Sequence, residues 1–174
     1  MASDQSAAVA DVAAAKAGKY LTFFLGDQEY GVEILKVREI IGMVRITPVP
    51  RTPAFVEGVI NLRGKVIPVI DLRQKFDMAP VERNEETCII VVDVQGIEMG
   101  IIVDKVSEVQ DIAGEDIEET PDFGQTVDTD FILGIAKSEG QVTVLLDICR
   151  VLSTEQIATV AGIGDNKTDN GENA

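Results

Sequence analysis

Any catalysis in this chain would have to rest on carboxylates, because the side chains that usually shuttle protons or bind metals near neutral pH are almost missing. There are 30 Asp and Glu residues, two cysteines and no histidine. Without imidazole there is no Ser-His-Asp or Cys-His relay, no phosphohistidine and no His-based zinc or haem site. The run Gly58-Val-Ile-Asn-Leu-Arg-Gly64-Lys65-Val66 has the look of a phosphate loop, but five residues separate its glycines instead of four. Val66 also stands where Ser or Thr would hold magnesium. Asp165, Asp169 and Gly171 follow part of a calcium-loop spacing, yet Lys167 occupies a position that needs an oxygen ligand. Thirty acids produce close pairs by chance, so pairing alone marks no catalytic site. The expectation is a protein that is not an enzyme and uses no cofactor or metal. Cys88 and Cys149 lie 61 positions apart in apolar runs with no C-x-x-C partner, which predicts buried, reduced thiols and a reducing compartment.

The scaffold that must position whatever surface does the work is legible in composition and pattern. With 174 residues, 45% hydrophobic and 26% charged, the chain can bury a real core. Its net charge of −15 repels phosphate backbones and anionic lipid, so neither nucleic acid nor a membrane surface is an expected partner. Eight alanines fall in the first nineteen residues, and Asp4 and Asp11 precede the first basic residue, Lys16. That is the wrong charge order for a secretory signal, and no apolar run approaches the roughly 18 residues of a membrane helix. A cytoplasmic protein without membrane insertion is expected, with a disordered Ala-rich stretch over 1–18 and a disordered acidic tail over 161–174.

Between these ends lies an internal repeat. Tyr30 to Ile40 can be laid over Met99 to Val109 at a shift of 69, which matches Gly31, Lys36, Val37 and Glu39 with Gly100, Lys105, Val106 and Glu108. At a shift of 76, Phe55, Gly58, Gly64 and Asp71 meet Phe131, Gly134, Gly140 and Asp147. Short β-branched runs punctuated by glycine predict five strands per copy, near 20–25, 29–34, 36–41, 58–62 and 65–70, then 87–93, 97–103, 105–109, 131–136 and 141–146. Five short strands can curl into a small barrel that removes its own edges. Gly26-Asp27 and Arg63-Gly64 read as tight hairpin turns. Pro68 predicts an edge position or a bulge, since it cannot donate to a ladder. Pro48, Pro50 and Pro53 predict a stiff connection ending in a helical turn over 54–57. Asp71 and Asp147 read as N-caps of a short helix over 72–76 and a longer C-terminal one over 148–160. Residues 20–76 carry net +2 and residues 77–152 net −14, with nine carboxylates and no base from Val106 to Asp130, a segment that reads as a solvated acidic loop or, alternatively, as a docking surface for a basic partner.

The runs Phe24-Leu-Gly-Asp-Gln-Glu-Tyr-Gly-Val-Glu-Ile-Leu-Lys-Val-Arg-Glu-Ile40, Thr52-Pro-Ala-Phe-Val-Glu-Gly-Val-Ile-Asn-Leu-Arg-Gly64 and Pro68-Val-Ile-Asp-Leu-Arg73 resemble the bacterial chemotaxis coupling protein family, CheW, over about 19–155. The resemblance implies a mainly β fold of two pseudo-symmetric five-stranded SH3-like barrels, over about 20–80 and 81–152, with short helices and a C-terminal helix. It also implies a scaffold without enzymatic activity, located at receptor arrays beneath the inner membrane. The implied partners are the cytoplasmic signalling tip of chemoreceptors and the regulatory domain of the chemotaxis histidine kinase, CheA. The positions that match the family's receptor-binding residues are Val37, Glu39, Ile40, Gly58, Arg63, Gly100, Val106 and Val109, and no position is assigned to the kinase. Gly58 and Gly100 are expected to allow close approach rather than make contact. Glu39 and Arg63 are expected to form an ion pair that the second copy cannot repeat, because Arg63 corresponds there to Glu139. The competing expectation is a small barrel that binds an unrelated peptide or metabolite, which would need a pocket with convergent polar groups.

Overall fold

In the computed structural model the described residues are 18–118, 131–138, 140–152, 156–157, 159–160 and 162. The expectations for 1–17, for the acidic residues 119–130 and for the tail beyond 162 lie outside them. Eleven strands are present among the described residues: β1 Gly18–Leu25, β2 Gln28–Glu33, β3 Val37–Gly42, β4 Val56–Leu62, β5 Lys65–Asp71, β6 Cys88–Val94, β7 Ile97–Val103, β8 Lys105–Ile112, β9 Ile117–Glu118, β10 Ile132–Ser138 and β11 Gln141–Leu146. Every expected strand is found, with boundaries shifted by a few residues at most. The two-residue β9 is additional, and the part of the expected acidic loop from Val106 to Glu118 is mostly strand.

The strands form two units that are not the contiguous halves expected at about 20–80 and 81–152. One unit comprises residues up to Ile34 together with Ser107–Val151, and the other comprises Leu35–Val106 with the residues from Leu152. The first holds the sheet β8-β1-β2-β11-β10-β9, and the second holds β3-β6-β7-β5-β4. Each unit therefore takes one hairpin, β1–β2 or β6–β7, from one repeat copy and its other strands from the other copy. The repeat itself is obeyed in the registers. Gly31 on β2 lies opposite Leu145 on β11, and its counterpart Gly100 on β7 lies opposite Val69 on β5, Val69 and Leu145 being related by the shift of 76.

Both units close on themselves, which removes the exposed edges that short strands would otherwise leave. In the second unit the chain beyond β3 returns to β4, where Thr47 and Val59 exchange two backbone hydrogen bonds of 2.9 Å. In the first unit β9 closes onto β10 through Glu118 opposite Ile135, the counterpart of Val59. A register shift precedes the closure in each unit, between Val56 and Gly58 on β4 and between Ile132 and Gly134 on β10. The second barrel is filled by Ile60, Ile67, Val69, Ile89, Val91 and Ile102, and the first by Tyr20, Ile112, Ala136 and Leu145.

Pro68 is neither at an edge nor at the bulge. It lies on β5, between β7 and β4 in the sheet, opposite Val59. Val59 spends both backbone groups on Thr47, so the Val59–Pro68 pair exchanges no bonds and the missing proline donor faces β7, where pairing begins only at Val69. Of the helical turn expected over 54–57 only a single turn at Ala54 and Phe55 is present, closed by the Val56 N–H donating to the Pro53 carbonyl at 3.0 Å, and β4 already starts at Val56. Asp71 does cap the helix Leu72–Lys75, accepting from the Arg73 backbone N–H at 2.9 Å. Ile148–Val151 is helical beyond Asp147, with helical residues again at 156–157 and 159–160. Cys88 is buried, but Cys149 is only half-buried, and both are free thiols.

Candidate interaction surface

Two tight turns and one irregular strand start set out a charged surface of the second unit. The turns Arg63-Gly64 and Gln95-Gly96 share one design: both central residues have positive φ, 53° and 83° in each turn. A side chain two residues earlier stabilises each turn, Asn61 Oδ1 accepting from the Gly64 N–H and Asp93 Oδ1 from the Gly96 N–H, both at 2.8 Å. Beside these turns β3 begins with a register shift between Val37 and Glu39, which places Arg38 on the bulge.

Arg63 donates through both terminal nitrogens to the Glu39 carboxylate, one of the bonds being 3.3 Å long, so the expected ion pair is present and bidentate. Arg38 pairs with Asp93 at 2.5 Å, and Lys65 with Glu98 at 3.3 Å. The Asp93 carboxyl is held below the usual carboxylate range, first by the Arg38 hydrogen bond and then by the Gly96 N–H. Both guanidiniums are pushed up, chiefly by the carboxylate each bonds.

The sequence-predicted positions fall into two groups. Val37, Glu39, Ile40, Gly58, Arg63, Gly100 and Val106 all belong to the second unit, while Val109 belongs to the first. Ile40 and Val109 are about half exposed, at 45% and 50%. Val37 and Val106 are partly buried. Gly58 and Gly100 are buried, and each has a packing reason. A Cβ on Gly58 would lie 2.1 Å from the Thr47 carbonyl oxygen at the barrel closure, and one on Gly100 would lie 2.6 Å from Ile89 Cγ2. These glycines serve the barrel interior.

Sequence reasoning missed a second polar centre. Arg73, buried at the start of the helix Leu72–Lys75, donates to both oxygens of Asp104 at 2.8 and 2.5 Å and to the Ala79 carbonyl at 2.8 Å. Arg83 nearby pairs with Glu57 at 3.1 Å and approaches Asp71 at 3.9 Å. Arg73, Asp104, Arg83, Glu57 and Asp71 line a cavity of about 350 Å³. Burial is the main cause that raises the Asp71 pKa; the Arg73 N–H opposes it and Glu57 adds to it. The cavity's charges are matched by partners from this same unit, so it does not offer the convergent open groups expected of a metabolite site. Asp104 and Arg73 gave no local signal, because their counterparts in the repeat are Leu35 and Cys149. Among the described residues no cluster of acidic or cysteine side chains is placed to hold a metal ion, and no helix is long and apolar enough to cross a membrane.

The described residues thus form two closed small barrels with exchanged hairpins, the second with an exposed, ion-paired end. The chain belongs to the CheW-like domain family, whose pattern matches residues 19–156. It is 40% identical over 145 residues to the chemotaxis protein CheW of Klebsiella aerogenes, covering 83% of this chain and 87% of that one. It is 38% identical over 136 residues to the chemotaxis protein CheW of Rhizobium meliloti, covering 78% and 88%. Among solved structures it is similar to the scaffolding protein TtCheW from Thermoanaerobacter tengcongensis, with a TM-score of 0.73 and 38% identity over 80% of this chain and 95% of that one.

Proposed function

We propose that this protein is a non-enzymatic chemotaxis adaptor that couples the signalling tips of chemoreceptors to the histidine kinase CheA in arrays beneath the inner membrane. The observation that carries the reading is the joint presence of family membership over residues 19–156 and a bidentate Glu39–Arg63 pair at the exposed end of one barrel. Val37, Glu39, Ile40 and Arg63 supply the receptor-contacting surface of the second unit, with Val106 in the same unit. Val109 is assigned by its match to the family positions. Gly58 and Gly100 act indirectly, by letting the barrel close. The mechanism is geometric: the adaptor holds two partners in a fixed relation and turns over no substrate, so its effect saturates at stoichiometric amounts.

The test is reconstitution. Purified protein added to a receptor signalling fragment and the kinase is expected to raise receptor-dependent autophosphorylation and then plateau. Substituting Val106→Glu is expected to lower receptor binding by about 100-fold or more, since an unpaired carboxylate would be desolvated in the complex. Kinase control that is unchanged when the protein is omitted would overturn the reading.

A further inference from the structure

Three of the second unit's ion pairs, Arg38–Asp93, Lys65–Glu98 and Arg63–Glu39, lie at one end of its barrel. In the sheet order β3-β6-β7-β5-β4, the registers bring the start of β3, the β6–β7 turn and the β4–β5 turn to the same end. Arg38–Asp93 links β3 to β6, and Lys65–Glu98 links β5 to β7. Arg63–Glu39 links the β4–β5 turn to β3 and so completes the circuit across the closure. Glu98 also acts electrostatically on both Arg38 and Arg63, so the pairs are not independent.

The circuit is neutral in sum but layered. Its cations are 57%, 72% and 63% exposed at Arg38, Arg63 and Lys65, against 23%, 28% and 30% for their carboxylates. The acids lie beneath and the cationic tips lie outside. In the first unit Lys137–Glu118 is exposed equally on both sides, at 59% and 58%, while Arg150–Asp147, a pair three residues apart within one chain segment, is layered by itself, with no neighbouring pair beside it on the β-turns among the described residues. The other repeat copy cannot rebuild the circuit, because Arg38, Arg63 and Lys65 correspond there to Ser107, Glu139 and Gln141.

We infer that this cationic crown is an interaction surface for an acidic protein segment, with Arg38 and Lys65 acting beside Arg63 as determinants of partner choice. On a chain of net charge −15, it is a place where a carboxylate-bearing partner meets outward-facing cations already oriented by their own underlying acids. The inference rests on the receptor-coupling reading and names its chemistry: the segment of the receptor tip that docks here presents carboxylates.

The experiment measures affinity of the full chain for a soluble receptor signalling fragment at about 50 mM and about 300 mM salt, across which screening shortens markedly. Lys65→Glu and Arg38→Glu are each expected to weaken binding roughly tenfold or more at low salt, with the deficit shrinking at high salt. Lys65→Gln should fall between these and the unaltered chain, and Lys137→Glu should bind as the unaltered chain does. Circular dichroism on each variant checks that the barrel is intact, which is expected for side chains this exposed. If Lys65→Glu, Lys65→Gln and Arg38→Glu all bind normally while Arg63→Glu does not, the crown is overturned and Arg63 acts alone. A salt-insensitive affinity of the unaltered chain overturns the acidic partner. Absence of any binding by the unaltered chain overturns the coupling reading itself, a different result from either.

Discussion

Gly58 separates a contact residue from a structural one, because the two roles respond oppositely to a single methyl group. Its φ is +148°, and a Cβ there would sit 2.1 Å from the Thr47 carbonyl oxygen and 3.0 Å from Ile46 Cγ2. The oxygen belongs to backbone whose N–H and C=O both bond Val59 at 2.9 Å, so it cannot retreat without opening the closure. Losing two hydrogen bonds costs about 1–3 kcal/mol in all, and forcing the unfavourable backbone region on alanine adds about 1–3 kcal/mol. Gly58→Ala should therefore destabilise the protein by about 2–6 kcal/mol. Gly100→Ala meets a side chain, Ile89 Cγ2 at 2.6 Å, and overpacking of this kind costs about 1–3 kcal/mol. Gly64→Ala has φ +83° with nothing within 4 Å, so it carries only the backbone penalty of about 1 kcal/mol. Urea melts of the full chain should rank the three in that order. A Gly58→Ala protein with an unchanged midpoint and weakened receptor binding would refute the reasoning and return Gly58 to the contact surface.

The other predictions use the same melts and the receptor-binding assay. Arg63→Glu should leave the melting temperature close to that of the unaltered chain and abolish receptor binding, with Glu39→Arg in the same chain restoring part of it; additive losses in the double-mutant cycle would mean the two residues act separately. Arg73→Met should destabilise by about 3–5 kcal/mol, since it leaves Asp104 without its bidentate partner in a largely buried site, and urea midpoints measure it. The raised Asp71 pKa means the folded state binds its proton more tightly than the unfolded chain. Its contribution therefore grows as pH falls from above the folded pKa toward the ordinary carboxylate value of 3.8, so Asp71→Asn should gain less, or lose more, stability on acidification than the unaltered protein. Fragments 18–80 and 81–160 should each lack a cooperative melt alone and recover one on mixing, and a cooperative melt of either alone would contradict the exchanged hairpins.

What was legible in the sequence was local. Alternating β-branched runs and the Arg63-Gly64 turn set out ten strands, because period-two burial and positive φ act over a few residues. The closing strand β9 escaped, since two residues carry no period. The exchange of hairpins escaped for a deeper reason. A repeat reports that two segments have equivalent surroundings, and Gly31 against Leu145 is as equivalent to Gly100 against Val69 as either pairing within one copy would have been. Nothing in the pattern of a strand states which copy supplies its neighbour.

The same ambiguity hid most of the charged end. Glu39 and Arg63 lie in one copy and could be paired from the sequence, but Arg38–Asp93 and Lys65–Glu98 both cross between copies. They become neighbours only once β6 and β7 are inserted between β3 and β5. The exchange thus does more than close two barrels. It brings the acidic side chains of the strongly negative second copy beneath the cations of the first, which is how a chain with twice as many acids as bases comes to present guanidinium and ammonium groups outward at one end.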